Sequence, residues 1–402
     1  MLRTSFLIAP ILAAACAWGQ QPAPTDQPAP AGQTPTTAPA AAPTAPSTWS
    51  VGGIDFSGLI DGYYTFNANH PDPSFNQLYN FNERANQFSL NMAKLTASHD
   101  ADPVGFRLDI GFGRAFDTIH ASEQAPEIFR YLEQAYVSWK PKSGHGFEAD
   151  FGEFVTSAGA EVIETKDNWN YSRSLLFAYA IPYYHFGLRT SVPIGTWNAG
   201  VQVVNGWNNV EDNNSGKTIG ITGGVAKKKF TWSNNYYTGP ENTDTNKGYR
   251  NLYDTTLLLT PKDAFNAYIN FDYGHDRPTL LGVPAGTGFG AWGGPASVHW
   301  VGLAAAAHFQ VSKHIAITPR AEFFNDADGF TTSIDPANPR AQRLAEVTVT
   351  GEYKMDEGLL TRLEYRRDSS NIDYFNRGAT PDASKDQTTI TLGIVAFFGP
   401  KR

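Results

Sequence analysis

A chain of 402 residues with 13% aromatic residues and a formal charge of −8 is too acidic to seek nucleic acid. Its one cysteine, Cys16, lies in an N-terminal apolar run, so the rest of the chain offers no disulfide, no thiolate metal site and no cysteine nucleophile. Beyond that run no apolar stretch reaches the roughly 20 residues a membrane helix needs. Any membrane crossing must then be made by a closed barrel, the other structure that satisfies its own backbone in lipid.

Residues 1–19 read as a secretory signal. Arg3 opens a short charged segment, residues 6–17 are apolar, and Ala17-Trp18-Gly19 ends in small residues that a signal peptidase accepts. Ahead of Cys16, Leu12-Ala13-Ala14-Ala15 places its leucine one residue too far upstream for lipidation. Residues 20–50 form a tether, almost entirely Pro, Ala, Thr and Gln up to residue 47, a composition that cannot bury a core. Extended at about 3.1 Å per residue, it would reach on the order of 80 Å through the periplasm. Residues 51–402 show no linker or shift in composition and are expected to form one domain, a transmembrane β-barrel.

The first predicted strand, residues 54–66, puts Ile54, Phe56, Ile60, Tyr64 and Phe66 on one face and Asp55, Ser57, Asp61 and Thr65 on the other. Leu59 and Tyr63 are exceptions on the polar face. A long polar segment leads to residues 86–98, whose alternation slips near Lys94 in the manner of a bulge. After a short turn comes the clearest strand, where Val104, Phe106, Leu108, Ile110 and Phe112 alternate with Gly105, Arg107, Asp109, Gly111 and Gly113. Further strands are expected at 129–140, 147–155, 183–192, 197–207, 217–226, 230–238, 252–260, 265–273, 298–311, 315–324, 343–354, 359–367 and 387–398. In the last of these Ile390, Leu392, Ile394, Ala396 and Phe398 oppose Thr389, Thr391 and Gly393.

That makes sixteen strands, with a long connection after every odd one and a short connection after every even one. An all-β, antiparallel transmembrane barrel with short periplasmic turns and long outer loops predicts this rhythm, and places both termini in the periplasm. A β-propeller would repeat at a fixed period, which is missing here. The polar face carries Arg107, Asp109, Arg130, Arg189, Arg320, Glu322, Glu346, Glu352, Arg362, Glu364 and Arg366. So many charges cannot share a dry core, so they are expected to line a water-filled lumen while the oily face meets outer-membrane lipid. Trp139, Trp197, Trp207, Trp232 and Trp300 fall near strand ends, where interfacial aromatic girdles belong.

Residues 156–174 join the fifth and sixth predicted strands and carry Glu161, Glu164, Lys166, Asp167, Asn168, Asn170 and Arg173. The segment is expected to fold into the lumen and set the width of the pore. There its three carboxylates would oppose Arg107, Arg130 and Arg189, giving modest selectivity with a slight preference for cations. A solvated outer loop is the alternative. The nine histidines show no metal-binding or protease spacing, and Gly286-Thr287-Gly288-Phe289-Gly290 follows no strand-to-helix pattern. Asp326-Ala327-Asp328-Gly329 has the wrong spacing for a calcium loop, and no serine stands in a nucleophile elbow. No catalysis, cofactor or metal is therefore expected.

Four stretches carry a family resemblance: NQFSLNMAKLTASHDADPVGFRLDIGFG from Asn86, EQAYVSW from Glu133, GEFVTSAGAE from Gly152 and NYSRSLLFAYAIPYYHFGLR from Asn170. They resemble the OmpL-like β-barrel porins and cover roughly the first half of the predicted barrel. The resemblance implies a pore in the outer membrane of a Gram-negative-type envelope, with no catalytic residues to carry over and substrates mostly unassigned. The expected function is passive diffusion of small hydrophilic solutes or ions; a surface adhesin or receptor using the long loops is the alternative. A homotrimer is expected by analogy with other sixteen-stranded porins, and Phe398 as the feature that the outer-membrane insertion machinery recognises.

Overall fold

The computed structural model describes residues 49–123, 126–278, 292–355 and 358–400. The signal segment, the tether up to residue 48 and the glycine run at 286–290 lie outside the described residues. Sixteen long strands follow in chain order: β1 (Ile54–Asn67), β2 (Phe88–His99), β3 (Val104–Phe112), β4 (Leu132–Trp139), β5 (Glu148–Val155), β6 (Tyr184–Ile194), β7 (Trp197–Val204), β8 (Thr218–Lys227), β9 (Phe230–Pro240), β10 (Tyr249–Lys262), β11 (Phe265–Asp276), β12 (Val298–Gln310), β13 (Ile315–Asp326), β14 (Gln342–Lys354), β15 (Leu359–Ser370) and β16 (Asp386–Phe398). Each pairs antiparallel with the next, and β16 returns to pair antiparallel with β1 from Thr389↔Asn67 to Phe398↔Gly58. The sheet is thus closed, with no long edge left unpaired.

Alternation makes the wall two-faced. Along β13, Ile315, Ile317, Ala321 and Phe323 are exposed, while Ala316, Thr318, Arg320, Glu322, Phe324 and Asp326 are buried. Among the described residues three register shifts break the rhythm of the wall, one of them at the turn between β10 and β11, where Leu259 pairs with Ala267 but Lys262 with Phe265. Asp61 pairs with Met92 but Gly62 with Leu90, so Asn91 is the extra residue in β2, three positions before the slip expected at Lys94. Glu133 is the extra residue in β4, since Asp109 pairs with Gln134 and Ile110 with Leu132. A bulge turns two successive side chains toward one face, and Asn91 with Met92, and Glu133 with Gln134, are accordingly buried together.

Two expectations about the wall are overturned. The fourth strand begins at Leu132, because residues 126–129 form a short helix; Arg130 follows it ahead of the strand, 3.6 Å from Asp117, so it is not part of the strand face on which it was expected. Trp139, Trp197 and Trp232 do face outward, but Trp300 is 1% exposed and faces the interior. Trp300 shares its face of β12 with Ala304 and Ala306, and lies flat on Gly274, where a β-carbon would come within 1.9 Å of the indole. Trp207 packs edge-on against it at 6.3 Å, so neither belongs to a girdle.

The interior is not an open cylinder of water. Segments 67–87, 113–123, 156–183 and 371–385 turn inward from the long-loop rim. Leu78, Phe81, Phe116, Ile119, Ile163, Leu175, Leu176, Phe177, Ile181 and Phe375 join one buried cluster with wall residues such as Leu252, Trp300 and Phe324.

Candidate pore constriction

The connection from β5 to β6 builds the centre of the barrel. Its backbone is mostly irregular, so its N–H and C=O groups must find partners outside regular structure or remain unmet at a cost. The inward-facing strands supply them. Ser157 reaches Asn235 and Tyr237 on β9 at 2.9 and 2.8 Å, the Gly159 amide donates to Asp254 on β10 at 3.0 Å, and the Ala160 amide to Asn270 on β11 at 3.3 Å. Trp169 stacks on His308 of β12 at 5.4 Å. The Tyr171 and Ser172 amides donate to Glu364 on β15 at 2.6 and 2.9 Å. On β1, Asp61 accepts from the hydroxyls of Tyr171 and Thr165 at 2.7 and 2.5 Å. The Tyr171 ring lies on Gly393 of β16, where a β-carbon would fall 2.1 Å from it. Ser157 also accepts from Gln202 on β7 at 3.2 Å, and Glu164 meets Lys94 on β2, so the anchors follow an arc from β7 through β16 to β1 and β2.

Charge divides the labour. Wall carboxylates take loop amides, and wall guanidinium groups take loop carbonyls: Arg362 donates to Thr165 and Asn170 at 2.5 and 3.0 Å and to Asn168, Arg320 to Ser172 at 2.7 Å, and Arg366 to Arg173 at 2.7 Å. Bonds to charged partners are about twice as strong as neutral ones, which suits a segment that must be held without secondary structure. Arg173 instead ties the loop to itself, donating to the carbonyls of Val162 and Tyr171 at 2.8 and 2.6 Å. A short helix, α1 (Leu175–Tyr179), ends the crossing; Ser174 caps it by accepting from the Phe177 amide at 3.0 Å, and Glu322 accepts from the Leu175 amide at 2.8 Å.

The predicted site residues thus divide into groups. Glu161 meets Arg320 at 2.8 Å, and Arg320 also meets Glu322 and Glu346 at 3.0 and 3.3 Å. Glu352 pairs with Arg362 at 2.7 Å, and Lys166 with its neighbour Asp167 at 2.6 Å. Glu161 and Asp167 do not meet Arg107, Arg130 or Arg189 but have other basic partners, and Glu164 pairs with Lys94 with Arg107 behind it, so the expected opposed row is not formed. Arg320, Arg362 and Arg366 point inward as expected but are buried beneath the loop. Arg107 and Arg189 are different. Their Nε atoms donate to Asp109 and Asp150 at 3.0 and 2.7 Å, and their side chains keep 35% and 26% exposure.

Lys94, Asp61 and Glu133 were not singled out by the sequence as site residues. The Lys94 ammonium stands among Asp109 at 3.4 Å, Glu133 at 3.0 Å and Glu164 of the loop. Oxygens of the three carboxylates lie within 4.8 Å of one another, a spacing that would suit a cation, and the lysine supplies that charge. Burial works against the charge on Glu164, but Lys94, with Lys166 and Arg107 behind it, holds its carboxyl well below the ordinary carboxylate range. Asp61 stands on the polar face of the first strand and could have been found by alternation. Glu133 enters through a bulge that simple alternation does not show.

Several solved structures share this architecture. The in-vitro folded OmpT of Vibrio cholerae in its trimer form covers 86% of the chain with 99% of its own length, at a TM-score of 0.54 and 10% identity. The anion-selective porin from Comamonas acidovorans gives the same coverage of both chains, TM-score and identity. Salmonella typhi OmpF in complex with daunomycin covers 86% of the chain with 97% of its own, at 0.53 and 12%. At such low identity these likenesses concern the fold. No curated protein matches the chain in sequence. The family described as "Putative beta-barrel porin-2, OmpL-like" matches residues 53–398, so this chain, a closed sixteen-stranded barrel with an inward-folded loop, belongs to the OmpL-like porins of the outer membrane.

Proposed function

We propose that the protein passes small hydrophilic solutes or ions by diffusion, without chemistry, along a passage set off to one side of the barrel. The observation that carries this reading is the one-sided arc of loop anchors. The loop is fastened mainly from β7 round to β2, with His185 of β6 meeting its first residue, Thr156, and the half-exposed inner charges, Arg107 and Arg189, sit on β3 and β6, at the two ends of the less-anchored stretch of wall. Residues 156–174 set the width, and Glu164, Lys166 and Asp167 edge the passage from the loop side. Positive and negative groups are nearly balanced along it, so charge selectivity is modest. The short turns and both termini face the periplasm, the long loops face outward, and the barrels assemble as a homotrimer.

Planar-bilayer recording tests the reading. The purified protein should give stepwise openings, and a variant lacking residues 158–169 should conduct clearly more than the parent. A folded deletion variant with unchanged conductance would remove this loop from the pathway. A bilayer that stays silent with folded protein would favour a binding role for the long loops.

A further inference from the structure

The hairpin from β8 to β9 turns on lysine. Lys227 ends β8 opposite Phe230, and Lys228 with Lys229 makes the tight turn between them. All three are exposed. The next short turn lies against them, since the Thr260 amide donates to the Lys229 carbonyl at 2.8 Å, and it adds an exposed Lys262. Elsewhere on this rim lysine comes with its counter-charge: Lys140 meets Glu148 at 3.2 Å, and Lys142 meets Asp102 at 3.4 Å. Among the described residues no carboxylate stands within ion-pair distance of Lys227, Lys228, Lys229 or Lys262. Lys227 donates instead to the Thr196 hydroxyl at 2.9 Å, in the turn on its other side. Across these three neighbouring turns Asp263 is the lone carboxylate set against four lysines.

The outer face of the sheet beside this turn is apolar. Val225 of β8 pairs with Trp197 of β7 on one side and with Trp232 of β9 on the other. The indoles are 55% and 42% exposed and leave Val225 only 5%, so they flank it on the lipid-facing side. Two residues further on, Lys227 leaves the strand on that same face, with Phe230 beside it and Leu257 and Leu259 next on β10. Trp232 Nε1 donates to Thr255 at 2.9 Å, whereas the Trp197 indole N–H has no partner among the described residues. Strand ends of a membrane barrel stand at the headgroup layer, and basic clusters next to a membrane-crossing segment draw anionic lipid. We propose that the short-turn rim from β7 to β10 binds an anionic phospholipid. Its phosphate sits among the ammonium groups of Lys227, Lys228 and Lys229, with the Trp197 N–H as a further donor, and its acyl chains run up the wall along Trp197, Val225 and Trp232. A zwitterionic lipid carries its own cation into the lysines and loses the advantage, and a soluble phosphate gains nothing from the apolar face.

Native mass spectrometry of the folded protein in detergent, titrated with phosphatidylglycerol or phosphatidylcholine, reads this out. A lysine at a membrane surface favours anionic lipid about fivefold, so the parent should bind phosphatidylglycerol at least about tenfold more tightly than phosphatidylcholine. The variant with Lys227→Gln, Lys228→Gln and Lys229→Gln should bind the two lipids alike. Lys140→Gln with Lys142→Gln, which removes paired lysines from the same rim, should leave the preference unchanged, and equimolar inorganic phosphate should not displace the lipid. Heat-modifiable electrophoretic mobility verifies that each variant is folded. A parent that holds both lipids equally overturns the proposal whatever the variants do. A folded triple variant that keeps the preference also overturns it, as does its loss in the Lys140 and Lys142 variant or displacement by phosphate.

Discussion

Two ion pairs tie the inward-folded loop to the wall. Glu164 is kept ionised by Lys94, so its carboxyl titrates below its unfolded value; the contact stabilises the loop at all pH above the ordinary carboxylate range and is lost as pH falls through the lowered value. Single-channel conductance should therefore not change through this contact between pH 7 and 5. A step in that interval that vanishes in Glu164→Gln would overturn the assignment. Arg320 is buried against three carboxylates and two loop carbonyls, so Arg320→Ala leaves those groups uncompensated. Breaking such a buried pair costs about 3–5 kcal/mol. The variant should unfold at a lower urea concentration and expose residues 156–174 to protease; an unchanged unfolding midpoint would show that the guanidinium is dispensable. Alternation made Arg320, Arg362 and Glu364 legible in the sequence, because charge on one face of a strand has a single place to go. It failed at Glu133 and Asn91, where bulges shift the register, and at Trp300, which the apparent girdle position outweighed although Ala304 and Ala306 mark its face as inward.

The connection between β5 and β6 is the element on which the others converge. Its inward course could be read from its polar content, but its partners could not, since they come from strands far along the chain that meet only in the closed barrel. Gly393 offers a test without deletion. A side chain there would collide with the Tyr171 ring, and β16 cannot give way because both its neighbours are paired. Gly393→Val should thus leave a folded barrel, push Tyr171 off the wall and raise conductance. A folded Gly393→Val barrel with parental conductance would mean that the loop can shift there without widening the passage. Strand boundaries were legible to within a few residues, except at β4, where the short helix before Leu132 replaced the expected first turn of strand.

At the scale of the molecule, the strand count and the rhythm of loops followed from the sequence, because lipid imposes both. Phe398 stands at the end of the seam, where Trp49 packs on it with ring centres 4.7 Å apart. If that aromatic end is what the insertion machinery recognises, Phe398→Asp should leave the chain in the periplasm as prey to proteases. Normal amounts of heat-modifiable barrel in the outer membrane would refute this. The seam also orders events in time. Thr65 meets Thr391 across it, so the cylinder cannot seal until nearly the whole chain has been exported. By then the loop, and the arginines and glutamates of β13, β14 and β15 that hold it, have already arrived. The order of synthesis thus means that the loop and every wall group that holds it are already part of the chain when the cylinder seals, so narrowing the passage waits on no later segment.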